Sequence, residues 1–190
     1  AKRDMILSID SGGRRSGTQE AWTDFADYWL KDGGVVDVLD QTIQNAKTRI
    51  GRPSFRHKVV ITMPDPIMLE YFTDKGSSTT YWGSVHDRTL DFQNTADQVL
   101  AYQWYINYVI EQWEKLTPQN VELAGFYILS EILVAKPSGW NYKYKRWDKI
   151  LPPVASYLHE MKYGLYWIPY YQADGYDMTE ELGIDYTWIQ

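Results

Sequence analysis

Short runs of β-branched and aromatic residues alternate along this chain with longer stretches of helical periodicity. That alternation limits the fold more than any other feature. Met5 to Ile9, Val59 to Met63, Val121 to Tyr127, Leu165 to Pro169 and Tyr186 to Ile189 read as five strands. Several are unbroken apolar runs, as strands buried on both faces tend to be. Between them, Val35, Val36, Leu39, Ile43, Ala46 and Ile50 recur at helical spacing, with Asp37, Asp40, Gln44, Lys47 and Arg49 around the other face. Gly51-Arg52-Pro53 then supplies a stop. Val99, Tyr102, Ile106, Val109, Ile110 and Trp113 form a second stripe, from about Thr95 to Thr117-Pro118. A third helix is expected from Tyr144 to Met161, bent at Pro152-Pro153. A short fourth helix is expected from Met178 to Leu182, ahead of Gly183.

Strand, helix, strand in this order requires parallel pairing with right-handed crossovers, and so an α/β fold. A parallel (β/α)8 TIM-type barrel and an open doubly wound sheet are the two candidates. Gly12-Gly13 runs into Arg14-Arg15-Ser16 and opens no GxGxxG helix, which disfavours a nucleotide-binding sheet. The barrel is therefore the expectation, as a single domain over residues 1–190. A closed barrel typically takes about 250 residues, and this sequence has 190 with about five β/α units. An incomplete barrel is expected, with its remaining strands outside this sequence.

Composition narrows the chemistry. The formal net charge is −6 with 19 Lys and Arg against 25 Asp and Glu, so no basic field gathers phosphates and nucleic acid is not an expected partner. There is no cysteine, which excludes disulfides, thiolate zinc sites and a thiol nucleophile. No run of about 18 apolar residues is present, so membrane insertion is not expected. The start at Ala1-Lys2-Arg3-Asp4 fits a mature or trimmed chain. The informative excess is aromatic: 9 Trp and 16 Tyr, many beside Gly, Pro, Asp or Asn. Rings with a polar edge suit sugars, whose C–H faces stack on them while the hydroxyls seek hydrogen bonds. A Trp- and Tyr-rich core, or a protein interface, accounts for the same excess.

Parallel β/α folds collect their chemistry at strand C-termini. Those ends carry Asp10 and Ser11, then Asp65 between two prolines, then Tyr127 with Ser130 and Glu131. Trp167, Tyr170, Tyr171 and Asp174 follow the fourth strand, and Trp188 and Gln190 the fifth. The rim is rich in carboxylates and rings and poor in Lys and His. Glycosidic hydrolysis needs an acid to protonate the leaving oxygen and a second carboxylate opposite it. Glu131 fits the acid, and burial among rings would help keep its proton. Asp65, Asp174 and Asp10 compete for the second role. Glu131 as a helix-capping carboxylate, and Asp65 and Asp174 as turn residues, are the plain structural alternatives. Tyr81, Trp82 and Arg88 lie in or just after a long loop, where they would line a cleft. His57, His86 and His159 show no metal-ligand spacing, and no GxSxG motif occurs, so no metal, cofactor or serine nucleophile is expected.

Three stretches resemble the bacterial family called domain of unknown function 4855. They are Lys58 to Pro66; Leu123-Ala124-Gly125-Phe126-Tyr127 with Glu131; and Trp167-Ile168-Pro169-Tyr170-Tyr171 with Gly183-Ile184-Asp185 and Gln190. Arg88 and Trp104-Tyr105 also fit the family pattern. The resemblance runs from about Ile6 to Gln190. It implies a (β/α)8-barrel relative of glycoside hydrolases, secreted, periplasmic or attached to the cell surface, with no established activity to carry over. The family's strand-end Glu falls on Glu131, and its Trp-Ile-Pro-Tyr motif on Trp167 to Tyr170. Ile128 stands where the family pattern has Trp, and the family's barrel continues beyond the position of Gln190.

The sequence reading is therefore a hydrolase-like barrel acting on carbohydrate. Glu131 is the acid, Asp65, Asp174 or a residue of a strand outside this sequence the second carboxylate, and Tyr127, Trp167, Tyr170, Tyr171, Gln190, Arg88 and Trp82 bind substrate. A non-catalytic carbohydrate-binding barrel and a structural domain of a larger surface protein are the alternatives.

Overall fold

A computed structural model of the chain describes residues 17–51, 54–66, 78–133 and 146–190. The expected first strand, Met5 to Ile9, and the candidates Asp10 and Ser11 lie outside the described residues. The chain enters through helix α1 (Gln19–Leu30), where the Thr18 hydroxyl accepts a hydrogen bond from the Ala21 N–H. Trp22, Phe25, Ala26, Trp29 and Leu30 follow at helical spacing, and all but the half-buried Trp29 are buried. Helix α2 (Val35–Ile50) ends at Gly51, which caps it in the left-handed conformation at φ 67°.

Strand β1 (His57–Met63) leads to a two-residue antiparallel hairpin, β2 (Ser84–Val85) and β3 (Arg88–Thr89), which occupies part of the expected long loop. Helix α3 (Thr95–Leu116), capped by Asn94, and strand β4 (Val121–Ile128) come next. Helix α4 (Trp147–Glu160) is one helix with Pro152-Pro153 inside it. Strand β5 (Gly164–Trp167) and strand β6 (Tyr186–Thr187) close the described chain. Met178 to Leu182 forms turns, because the Leu182 and Ile184 N–H groups close short loops onto Met178 and Thr179 instead of a continuing helical ladder.

The order β1-β4-β5-β6 forms one sheet in which every pair is parallel. The fold is mixed α/β with a parallel sheet. Ile61, Phe126 and Leu165 lie in one register row, and Met63, Ile128 and Trp167 in another; all are buried. Helices α3 and α4 pack against β1 and β5, and α1 packs on α2 and α3. The opposite face carries Thr62, Tyr127, Tyr166 and Tyr186 as successive register partners. A bulge between Val59 and Val60 lets β4 advance one residue at Ala124, so the upper halves of β1 and β4 still pair.

The expected apolar stripe of α2 is only partly used. Val36 is buried, while Leu39 and Ile50 are 38% and 66% exposed. Lys47, assigned to the solvent face by its charge, is buried and donates from Nζ to Asn120 Oδ1 at 3.1 Å. Its aliphatic stem lets it pack while the ammonium keeps a partner.

Candidate active site

Strand β1 ends in Pro64-Asp65-Pro66, and helix α3 crosses that end with three polar side chains spaced i, i+4 and i+7. Gln98 donates from Nε2 to the Pro66 carbonyl at 2.7 Å, Tyr102 donates from its hydroxyl to Asp65 Oδ1 at 3.3 Å, and Tyr105 donates to the Thr62 carbonyl at 3.1 Å. Asp65 is only 3% exposed. Burial, and then the adjacent Asp65 carboxylate, push the Tyr102 phenol far above its ordinary value, so it remains a donor. Gln98 and Tyr102 escape a reading by hydrophobic stripe, since Tyr102 counts there as an apolar core residue. The signal that finds them is a polar atom at each turn of one buried helix face.

Strand β4 delivers the next two groups. Tyr127 lies on the open face of the sheet, and Glu131 follows the strand end. The Tyr127 phenol is raised first by burial and then by the carboxylates of Glu131 and Asp65. Both carboxylates thus act on a single phenol. Glu131 is exposed, contrary to the expected burial among rings, and its Oε1 accepts from Gln190 Nε2 at 3.3 Å. Gln190 is placed by its own N–H, which donates to the Pro169 carbonyl at 3.0 Å. The structure therefore brings Asp65, Tyr127, Glu131 and Gln190 to one end of the sheet, with Tyr102 as an additional member.

The other expected residues separate from this group in instructive ways. Trp167 is fully buried on the helix side of β5, because Tyr166 takes the open face and side chains alternate along a strand. Its indole N–H donates to the Ser130 carbonyl at 2.7 Å, so it buttresses the segment before Glu131 and presents no ring to a ligand. Trp82 is 1% exposed and packed against Trp22, Phe92 and Trp104. Arg88 is committed to a two-pronged ion pair with Asp97 at 3.1 and 2.8 Å. Tyr170 and Tyr171 are 42% and 71% exposed, on the turn that carries Asp174. Asp174 is exposed, and its main-chain carbonyl accepts from the Leu133 N–H at 2.8 Å, which ties this turn to the segment following Glu131.

Among the described residues, no group of three or more His, Asp or Glu is arranged to hold a metal ion, and no helix is long and apolar enough to cross a membrane. A cavity of about 410 Å³ is lined by Lys58, Glu122, His159 and Asp185 near the strand starts and extends to Tyr166 and Tyr186 on the open face of the sheet. A second cavity of about 410 Å³ lies between the hairpin, α3 and α4, beside His86, Trp104 and Tyr157, so volume alone selects no site. The strand C-termini carry the grouped carboxylates and phenols, and such grouping is a better guide to a candidate site than volume.

The family described as "Domain of unknown function (DUF4855)" matches residues 4–190. No curated protein and no solved structure matches the chain.

Proposed function

The chain belongs to the DUF4855 family, and from that premise we propose that it is a glycoside hydrolase whose parallel sheet is an arc of a (β/α)8 barrel. The observation that carries this reading is geometric: the paired ends of β1 and β4 bring Asp65, Tyr127 and Glu131 to one end of the sheet, where Gln190 Nε2 lies 3.3 Å from Glu131 Oε1. Two carboxyl groups around one substrate position are what hydrolysis of a glycosidic bond requires. Glu131, exposed at the mouth, is the general acid. Asp65, held by Tyr102, is the second carboxylate, with exposed Asp174 as its competitor. Tyr127 and Gln190 fix the sugar beside Glu131, and Tyr170 and Tyr171 offer rings on the neighbouring turn. A polysaccharide substrate places the protein outside the cytoplasm or on the cell surface.

The solvent exposure of Glu131 favours a second reading, a carbohydrate-binding barrel without catalysis. Hydrolysis of a panel of plant and host polysaccharides separates the two. The chain is expected to release sugar, and Glu131→Gln to lower the rate at least about a hundredfold, the usual worth of a positioned proton donor. Asp65→Asn is expected to do the same. Binding without sugar release would establish the second reading, and equal rates for the chain and Glu131→Gln would remove Glu131 from the mechanism.

A further inference from the structure

The open face of the sheet holds an aromatic surface that the carboxylate group leaves unused. Tyr166 stacks on Tyr186 with ring centroids 4.7 Å apart and planes within 17°, and on Trp188 at 5.5 Å and 12°. Tyr186 and Trp188 are themselves 6.3 Å apart and 14° from parallel. A pile with Tyr166 in the middle would separate its outer rings by two van der Waals layers, about 7 Å. The shorter spacing puts Tyr186 and Trp188 side by side against the same face of Tyr166. They form a shelf two rings wide.

The shelf is backed and rigid. Tyr166 is 7% exposed, whereas Tyr186 and Trp188 are 50% and 52% exposed. The Tyr166 ring rests over two glycines, where a Cβ would come within 2.7 Å of its Cε2 at Gly125 and 3.0 Å at Gly164. Glycine at both positions leaves the room that the ring occupies. The Trp188 N–H donates to the Trp167 carbonyl at 3.1 Å and fixes the strand beneath its ring. Strand alternation then carries the same face from Tyr186 and Trp188 to Gln190, whose amide donates to Glu131 Oε1.

A flat apolar surface that ends at an amide and a carboxylate has a definite chemical complement. A pyranose with equatorial substituents presents a flat C–H face, while its hydroxyls and glycosidic oxygens project from the rim. A sugar hydroxyl can donate to the Glu131 carboxylate and accept from the Gln190 amide beside the rings. We infer that Tyr186 and Trp188 form a binding subsite for an equatorially linked oligosaccharide, which they lead toward Glu131. This inference rests on the proposed carbohydrate reading of the Glu131 site and extends it to residues outside the acid group.

The test uses the whole chain, its Trp188→Ala, Trp188→Phe, Tyr186→Ala and Glu131→Gln variants, and xylohexaose, cellohexaose and chitohexaose as probes. Binding is read by calorimetry, cleavage by sugar release, and the fold by near-ultraviolet dichroism. Trp188→Ala is expected to weaken binding of at least one probe about tenfold, the scale of one lost ring contact. Trp188→Phe should stay within about threefold of the parent. If Trp188→Ala fails to fold, Tyr186→Ala and Trp188→Phe decide in its place. Binding that is lost with the shelf rings, in a chain that cleaves nothing, sustains the subsite and sinks the hydrolase. Cleavage abolished by Glu131→Gln, with binding untouched by every shelf variant, sinks the subsite and sustains the hydrolase. Absence of binding to all three probes overturns the subsite. So does burial of Trp188 against acrylamide quenching in a longer parent protein without sugar, since another segment would then occupy the shelf.

Discussion

At the scale of single residues, Asp97 shows how a buried carboxylate is made tolerable. Burial alone would raise it, but hydrogen bonds from Arg88 and from the Asp91 N–H outweigh that and hold it below the ordinary carboxylate range. Its side chain is 4% exposed and Arg88's is 55% exposed, so the charge is compensated at the surface of the fold. A carboxylate lowered in the folded state contributes stability that is present above the unfolded value, about 3.9, and is lost as pH falls through the folded value. Urea unfolding between pH 3 and 7 is expected to show stability dropping below about pH 4. Asp97→Asn should flatten that drop and cost about 1–3 kcal/mol at pH 7, the range for hydrogen bonds to a charged group. A pH profile as steep in the variant as in the parent would assign the acid sensitivity elsewhere. The ion pair itself is not legible in the sequence, because Asp97 stands nine residues after Arg88 and is recognised as its partner only once the hairpin turns back onto α3.

At the scale of elements, α2 is held to the sheet by polar groups more than by its apolar stripe. Asp40 accepts from the N–H groups of Asn120 and Val121 and from the Asn120 side chain, while Lys47 reaches Asn120 from one face further along the helix. These bonds fasten the start of β4. Asp40→Ala is expected to cost about 2–3 kcal/mol in chemical denaturation, because it leaves two strand-entry N–H groups without their acceptor. A cost below about 0.5 kcal/mol would mean that water substitutes for the carboxylate. Element type was legible wherever the periodicity was pure: β1, β4, β5, α2 and α3 follow from spacing and stop signals. Helix α1 obeys the same rule through Trp22, Phe25, Ala26, Trp29 and Leu30, but it is not among the helices expected from the sequence. The site was legible in part, since strand-end position alone selects Asp65, Tyr127, Glu131 and Gln190. Position cannot tell which way a ring points. Trp167 and Tyr166 are neighbours, and the pleat sends the Trp into the helices and the Tyr onto the open face. Trp82 is lost to the core for a similar reason, because aromatic packing with Trp22 and Trp104 depends on contacts far apart in sequence.

At the scale of the whole molecule, the parallel sheet joins segments at very unequal separations along the chain. Tyr166 pairs with Tyr186, Gly125 with Gly164, and His57 with Val121, so each pairing toward β1 closes a longer loop. The entropy of closing a loop grows with its length, and parallel pairings yield nothing until the crossover segment has been gathered in. The sheet is therefore expected to assemble from β6 toward β1. Pulse-labelling hydrogen exchange should show the N–H groups of Asp185 and Trp188, which bond to β5, protected before those of β1. Protection appearing first in β1 would reverse that order. In time, then, the last strand to dock is the one that ends in Asp65. The proposed acid pair would come into existence only when folding is complete, and partly folded chains would carry the aromatic shelf without the chemistry.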